Sequence, residues 1–376
     1  MSLPSAASDV PLKTTQHYLA LDALRGLAAL SVMIFHFGHW LHVERLAPNA
    51  GLAVDLFFCL SGFVMMKSYD RKLSGGLSFV RFMKVRLIRL MPLVMAATLI
   101  SAIYVLFRIQ VKHDHVALRD VATAVLLGLI NLPNFGAVTA IGGPQIFPLN
   151  GPQYTLFLEV VVNIFWAGLA VLRGLRFALI ALVLCSCVVG WYGTGGDVPD
   201  TFWNGFPRVV ASFYAGVAVY HLRHILPEKA AVVVFPLCVA IMLALYYVPS
   251  FPISHSGNPI IFVWIVAISP LLVLSGAKVT YAGAFATKGQ TFLGDLSYPL
   301  YVLHYPLFCW VNGIYQAVFK VYPSGLVMVG YGVFIVVASF VTLRLFDEPV
   351  RRWASTTLLG KSAVKTSAVA ATEFGV

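Results

Sequence analysis

Several residues in this chain have types suited to chemistry and sit in runs too apolar to hold them casually. Arg25 and His36 are eleven residues apart in LDALRGLAALSVMIFHF. On an α-helix that spacing returns to the same side to within about 20°, with roughly 16 Å between the two along the axis. Asp55, in VDLFFCLSGF, and Glu159, in YTLFLEV, are carboxylates expected at about the depth of His36. A carboxylate beside an imidazole orients the ring and raises its basicity; alternatively, Glu159 is a structural acid paired with Arg208. Arg86 and Arg89 are three apart, so both guanidiniums share one helical face. Two such forks suit phosphate oxygens, either of a ligand or of lipid headgroups. Ser61 and Gly62 allow a neighbouring helix or a thin ligand to come close. Ser297, Tyr301 and His304 recur at i, i+4 and i+7, with Tyr298 alongside, as the lining of a cavity or as part of an interfacial aromatic belt. Ionisable groups inside membrane spans are functional candidates by default.

The elements that must hold these residues follow from composition. Of 376 residues, 59% are apolar and 11% are charged, against about 25% charged in soluble domains. The apolar residues lie in long runs and do not alternate, which excludes a soluble globular protein, a disordered chain and a transmembrane barrel. The expected fold is all-α: a polytopic membrane bundle of about ten transmembrane helices. The runs are 19–41, 52–66, 87–107, 154–172, 177–192, 206–222, 231–248, 258–276, 296–319 and 325–346. An eleventh run, 121–132, is too short to span upright and is expected to be re-entrant or interfacial. The Gly/Pro-rich stretch 132–152 after it is a candidate lid. Residues 1–17 and 354–376 read as cytoplasmic tails flanking one membrane domain, 18–353. Residues 1–18 show no signal peptide. The five cysteines lie in apolar runs without a metal-ligand or disulfide pattern, so no metal is expected.

Charge sets the expected topology. The net charge of +11 does not point to nucleic acid in such a chain; positive residues are retained on the cytoplasmic side. With ten spans, 19 of the Lys and Arg residues fall inside and five outside, with Arg25 and Arg208 in or beside spans. Both termini are then cytoplasmic. A cationic site (Arg25, Arg86, Arg89, with His304 at a similar depth) faces the cytoplasm, and His36, Asp55 and Glu159 lie nearer the outer face. A phosphorylated donor with a long thin arm, such as a coenzyme A thioester, would bridge the two. A carrier for an anionic substrate would use the same charges.

Five segments, in this order, resemble the membrane-bound acyltransferase-3 family: Arg25-x10-His36, VDLFFCLSGF, Arg86-x-x-Arg89 followed by Pro92, LSYPLYVLHYP and FDEPVRR. The resemblance covers about residues 17–353. The family often has Trp-Ser-Leu-x-x-Glu where this chain has Tyr154-Thr155-Leu156-Phe157-Leu158-Glu159. The resemblance implies an O-acyltransferase of a bacterial inner membrane. Its donor would be acyl-coenzyme A, with acetyl-CoA the expected co-substrate and no tightly bound cofactor. The acceptor would be a carbohydrate or lipid-linked glycan such as an exopolysaccharide or O-antigen unit, and membrane lipids would be its surroundings. It also implies catalytic roles for His36, with Glu159 or Asp55 orienting it, and donor binding by Arg25, Arg86, Arg89, Ser61, Tyr298 and His304. A carrier of an acyl group or anionic glycan precursor, without chemistry, is the alternative.

Overall fold

The computed structural model describes residues 18–43, 46–112, 115–136, 141, 144–248, 258–281 and 283–360. The expected tail 1–17, residues 361–376 of the other tail, and 137–140 and 142–143 of the candidate lid lie outside them. Among the described residues there is helix and no strand. In chain order the helices are α1 (Leu19–Trp40), α2 (Ala53–Ser74), α3 (Phe79–Lys112), α4 (Leu118–Leu129), α5 (Gln153–Gly168), α6 (Leu175–Tyr192) and α7 (Gly205–Leu222). They continue with α8 (Glu228–Tyr247), α9 (Pro259–Val263), α10 (Ser269–Gly276), α11 (Ala284–Phe319), α12 (Gly325–Thr342) and α13 (Glu348–Leu359). Five-residue π-helical turns join α9 to α10 (Trp264–Ile268) and α12 to α13 (Leu343–Asp347).

Seven helical segments are long and apolar enough to cross a membrane: 19–40, 50–74, 79–111, 175–192, 228–247, 259–276 and 325–359. The three other runs expected to cross are helical as well, as α5, α7 and the later part of α11, but stand outside that group. The run 121–132 becomes the twelve-residue α4, roughly 18 Å long and short of a span. Its buried Val121, Ala124 and Gly128 lie on one stripe, and Gly128 sits against Thr98 of α3. The described part of 132–152 is packed, not loose. Ile146 and Asn150 are buried, Ile146 N–H donates to Asp197 O, and Asn150 Nδ2 donates to Val302 O of α11 at 3.1 Å.

Two helix pairs position everything that follows. The first is α2 with α7. A Cβ at Gly62 would lie 1.9 Å from Phe213 O, and one at Gly216 would lie 1.9 Å from Cys59 O. The two glycines face opposite backbones, so the axes approach as only small residues allow. Gly62 therefore serves helix packing. In α2 78% of the membrane window is buried, against 22% for the 325–359 segment, which puts α2 at the centre. The second pair is α1 with α11. Gly26 abuts Leu293 and Gly294 abuts Asp22, while Phe37 and Trp40 meet Phe308 further along. These contacts advance together along both chains, so the helices run parallel.

The links between helices sort to two ends. At one, Arg173 Nη1 donates to Asp70 O, and His221 Nε2 lies 2.9 Å from Arg173 O. The links after α2, α5 and α7 thus share that end. At the other, Asn49 Nδ2 donates to Leu245 O and Val248 O, which ties the link after α1 to the end of α8. The outward faces of α3, α6, α8 and α12 expose Ile103, Leu184, Val233 and Val333, a surface suited to lipid.

Helix α13 runs six residues past the boundary expected at 353, because Pro349 starts it and Gly360, at φ 83°, stops it. Helix α11 also begins earlier than hydropathy indicates, at Ala284 and not near 296. Its first turns carry Lys288 and Gln290 and read as polar.

Candidate active site

α1, α2, α3, α5 and α11 enclose a cavity of about 760 Å³, counted out to its open mouth. Arg25, Arg86, Arg89, Ser61, Glu159, Ser297 and Tyr298 line it, together with apolar Phe57, Leu60 and Met65. Six of the nine residues expected at a site are therefore in one cavity. Three guanidiniums face a single lining carboxylate, and the excess charge suits an anionic ligand.

Arg25 and Arg89 are held by α11, and Arg86 by α5. Arg25 Nε donates to Ser297 Oγ at 2.7 Å and its Nη2 to Gly294 O at 3.1 Å, with Asp22 one turn away at 3.5 Å. Arg86 Nη2 donates to Glu159 Oε1 at 2.6 Å, and Ser61 Oγ donates to the same oxygen at 2.9 Å. Arg89 lies over the Tyr298 ring, 5.8 Å from its centroid. The hydroxyl protons of Ser61 and Tyr298 are both committed, Ser61 to Glu159 and Tyr298 to Leu90 O at 2.6 Å.

The expected carboxylate–imidazole contact is replaced by another. Asp55 is fully buried and takes both Nε and Nη2 of Arg208, at 3.0 and 2.9 Å, with Ser212 Oγ donating at 3.0 Å. Asp55 stands on the stripe of α2 that meets α7, so its charge is spent tying the two helices. Glu159, for its part, is paired with Arg86 and not with Arg208. His36 meets a second histidine instead. Its Nδ1 lies 2.9 Å from Val32 O and 3.1 Å from Nε2 of His304. Trp40 stacks on the His36 ring at 4.9 Å.

His304 was expected near the depth of Arg25; the structure places it beside His36. The early start of α11 explains the difference, since Ser297, one turn past Gly294, already occupies the level of Arg25, and His304 lies two turns further along. The cavity and the imidazoles are neighbours. Tyr301 lines the cavity, holds Thr155 Oγ1 at 2.7 Å, and has its ring 6.1 Å from that of His304.

Sequence reasoning placed Arg208 in or beside a span, as the alternative partner of Glu159, and gave Ser297 only a place in the stripe. Both are anchors here. The position of Arg208 in an apolar run was the available signal. Tyr154, which stands where the resembled family often has Trp, offers its hydroxyl to Arg208 Nη1 at 3.4 Å, a contact an indole cannot accept. In the FDEPVRR segment, Asp347 pairs with Arg351 at 2.9 Å, where α13 packs against α3. Among the described residues no His, Cys, Asp and Glu cluster could hold a metal ion.

The site is a cationic cavity beside an imidazole pair within a helical membrane bundle. Residues 18–344 match the acyltransferase-3 family, described as an acyltransferase domain. The chain belongs to that family and is an integral membrane O-acyltransferase, not a carrier without chemistry. It is 28% identical over 339 residues to "Putative membrane-bound transacylase BcsY" of Komagataeibacter xylinus, covering 87% of this chain and 81% of that protein. It is 32% identical over 183 residues to "Protein 2 in picA locus" of Rhizobium radiobacter, covering 46% of this chain and 93% of that one. With "Putative peptidoglycan O-acetyltransferase YrhL" of Bacillus subtilis it shares 24% identity over 331 residues, 78% of this chain and 49% of the relative. No solved structure matches it.

Proposed function

We propose that this protein transfers an acetyl group from acetyl-coenzyme A, bound from the cytoplasm, to a hydroxyl of a carbohydrate presented at the outer face of a bacterial inner membrane. One observation carries the reading: the three-arginine cavity is lined by Tyr301, whose ring lies 6.1 Å from that of His304, the partner of His36. The cavity fits a donor with a phosphorylated head. Arg25, Arg86 and Arg89 would take its phosphate oxygens, and the apolar wall of Phe57, Leu60 and Met65 would follow its arm. The Arg25–His36 rise of roughly 16 Å matches the reach of such an arm. Two relatives named for transacylation and peptidoglycan O-acetylation support an acyl donor and a sugar acceptor.

In this reading His36 Nε2 takes the proton of the acceptor hydroxyl as its oxygen bonds to the thioester carbonyl carbon. The carbon–sulfur bond then breaks, and the departing thiolate receives a proton from the imidazolium. The products are one ester and one free thiol. Holding the donor by its phosphates turns a chance encounter into a positioned one. Glu159 keeps Arg86 directed into the cavity, and Asp55 acts through the α2–α7 tie.

A bundle of ten crossings, with both termini cytoplasmic, belongs to the same proposal. The shared end of the links after α2, α5 and α7 supports it, as does their load of Arg71, Lys72, Arg173, Arg176 and Arg223.

The test is purified protein in lipid with labelled acetyl-coenzyme A and a pool of membrane glycans, scoring thiol release and glycan label. His36→Ala is expected to lower kcat by about 10²–10⁴-fold. Unchanged turnover in that variant would overturn the role of His36. A wild-type protein that binds but never cleaves the thioester would overturn the donor.

A further inference from the structure

The pair His36–His304 is not accounted for by a general base alone. His304 is fully buried and lies outside the cavity lining. Its Nδ1 is 3.1 Å from Leu300 O, and its Nε2 is 3.1 Å from His36 Nδ1. A backbone carbonyl only accepts a hydrogen bond. Leu300 O therefore requires the proton of His304 on Nδ1, which in the neutral ring leaves Nε2 as a lone pair. Val32 O, 2.9 Å from His36 Nδ1, places a proton on that nitrogen by the same logic. The two assignments agree: the one proton on His36 Nδ1 is shared between Val32 O and a bare His304 Nε2, and His36 Nε2 is the nitrogen left without a proton. Among the described residues the two acids expected near His36 are engaged elsewhere, Asp55 by Arg208 and Glu159 by Arg86.

We propose that His304 is the positioning residue of the transfer, a neutral imidazole that does for His36 what a carboxylate does in other acyl-transfer sites. It accepts the Nδ1–H, turns the bare Nε2 toward the acceptor hydroxyl, and holds the imidazolium that forms when Nε2 takes the proton. A neutral acceptor brings no second charge into the bundle, where an unpaired carboxylate would be costly to bury. Trp40 stacks on the His36 ring, so a stack and the contacts at Nδ1 together restrain its rotation. The inference rests on His36 as the base in the proposed reaction, while the proton positions it states are observable without any turnover.

Two measurements test it. In protein labelled with ¹⁵N-histidine and held in lipid, the expected result is a ¹⁵N–¹⁵N coupling between a protonated His36 Nδ1 and a bare His304 Nε2, absent in His36→Ala and in His304→Gln. The proton on His304 Nε2, or no coupling in the wild type, would overturn the proposal. In turnover with acetyl-coenzyme A, His304→Met, which fills the space but accepts no such bond, is expected to lower kcat roughly ten- to hundred-fold with the KM for the donor unchanged. His304→Gln, which keeps an oxygen acceptor, is expected to recover most of it. Equal losses in two variants that both keep the wild-type unfolding midpoint would assign His304 to packing and overturn the proposal. A wild type without thioester cleavage would fault the reaction instead, and the coupling would still decide where the proton lies.

Discussion

Asp55 and Glu159 are both acids held by an arginine, yet their surroundings give them different work. Asp55 has no exposure, and its oxygens receive three donors from α7. Glu159 keeps a side chain 17% exposed in the cavity and shares one oxygen between Arg86 and Ser61. Removing one member of a buried pair strands the other charge. Asp55→Ala is expected to cost about 3–5 kcal/mol of stability, read as the unfolding midpoint in detergent. Adding Arg208→Met should restore most of that loss, and a single variant as stable as the wild type would refute the tie. The sequence showed which residues were out of place among apolar neighbours. Periodicity put Arg25 and His36 on one side of α1, and the structure has both facing α11. It did not show which acid meets which base. Pairing across helices depends on how far each helix is slid along its neighbour, and no spacing within one run records that.

The slide is set by small residues at the element scale. Gly62 and Gly216 each lie where a methyl would enter the opposite backbone. Gly216→Ala and Gly62→Ala are expected to destabilise the bundle by at least the 1–3 kcal/mol typical of overpacking, because the obstructing atoms are main chain and cannot turn aside. Gly330→Ala, where nothing lies within 4 Å, is the control and should leave the midpoint unchanged or raise it. Helix α11 shows where hydropathy misleads. Its polar opening turns hid twelve residues of helix, and that error moved His304 to the wrong level. The apolar runs themselves were legible: every one of them is helical among the described residues, because a chain of this composition has no other way to satisfy its backbone in lipid.

For the whole molecule, the grouping of links gives a topology prediction. In a version without its native cysteines, Lys72→Cys and Lys229→Cys should be shielded from an impermeant maleimide added to intact cells. Asp200→Cys and Lys320→Cys should react. Opposite behaviour of the 72 and 229 positions would break the ten-crossing arrangement, since it requires both on the cytoplasmic side.

The parallel contact of α1 with α11 also has a consequence for biosynthesis. Arg25 and Ser297 are 272 residues apart in the chain. At about 5–20 residues per second, the ribosome needs roughly 15–55 s to supply the second after the first. Throughout that interval α1 waits in the bilayer without Ser297, Gly294 or His304, and Asp22 is the counter-charge its own helix provides. The first helix made is thus completed by nearly the last, and a nascent chain halted before α11 would present Arg25 and His36 to lipid as a mark of incompleteness for membrane proteases to read.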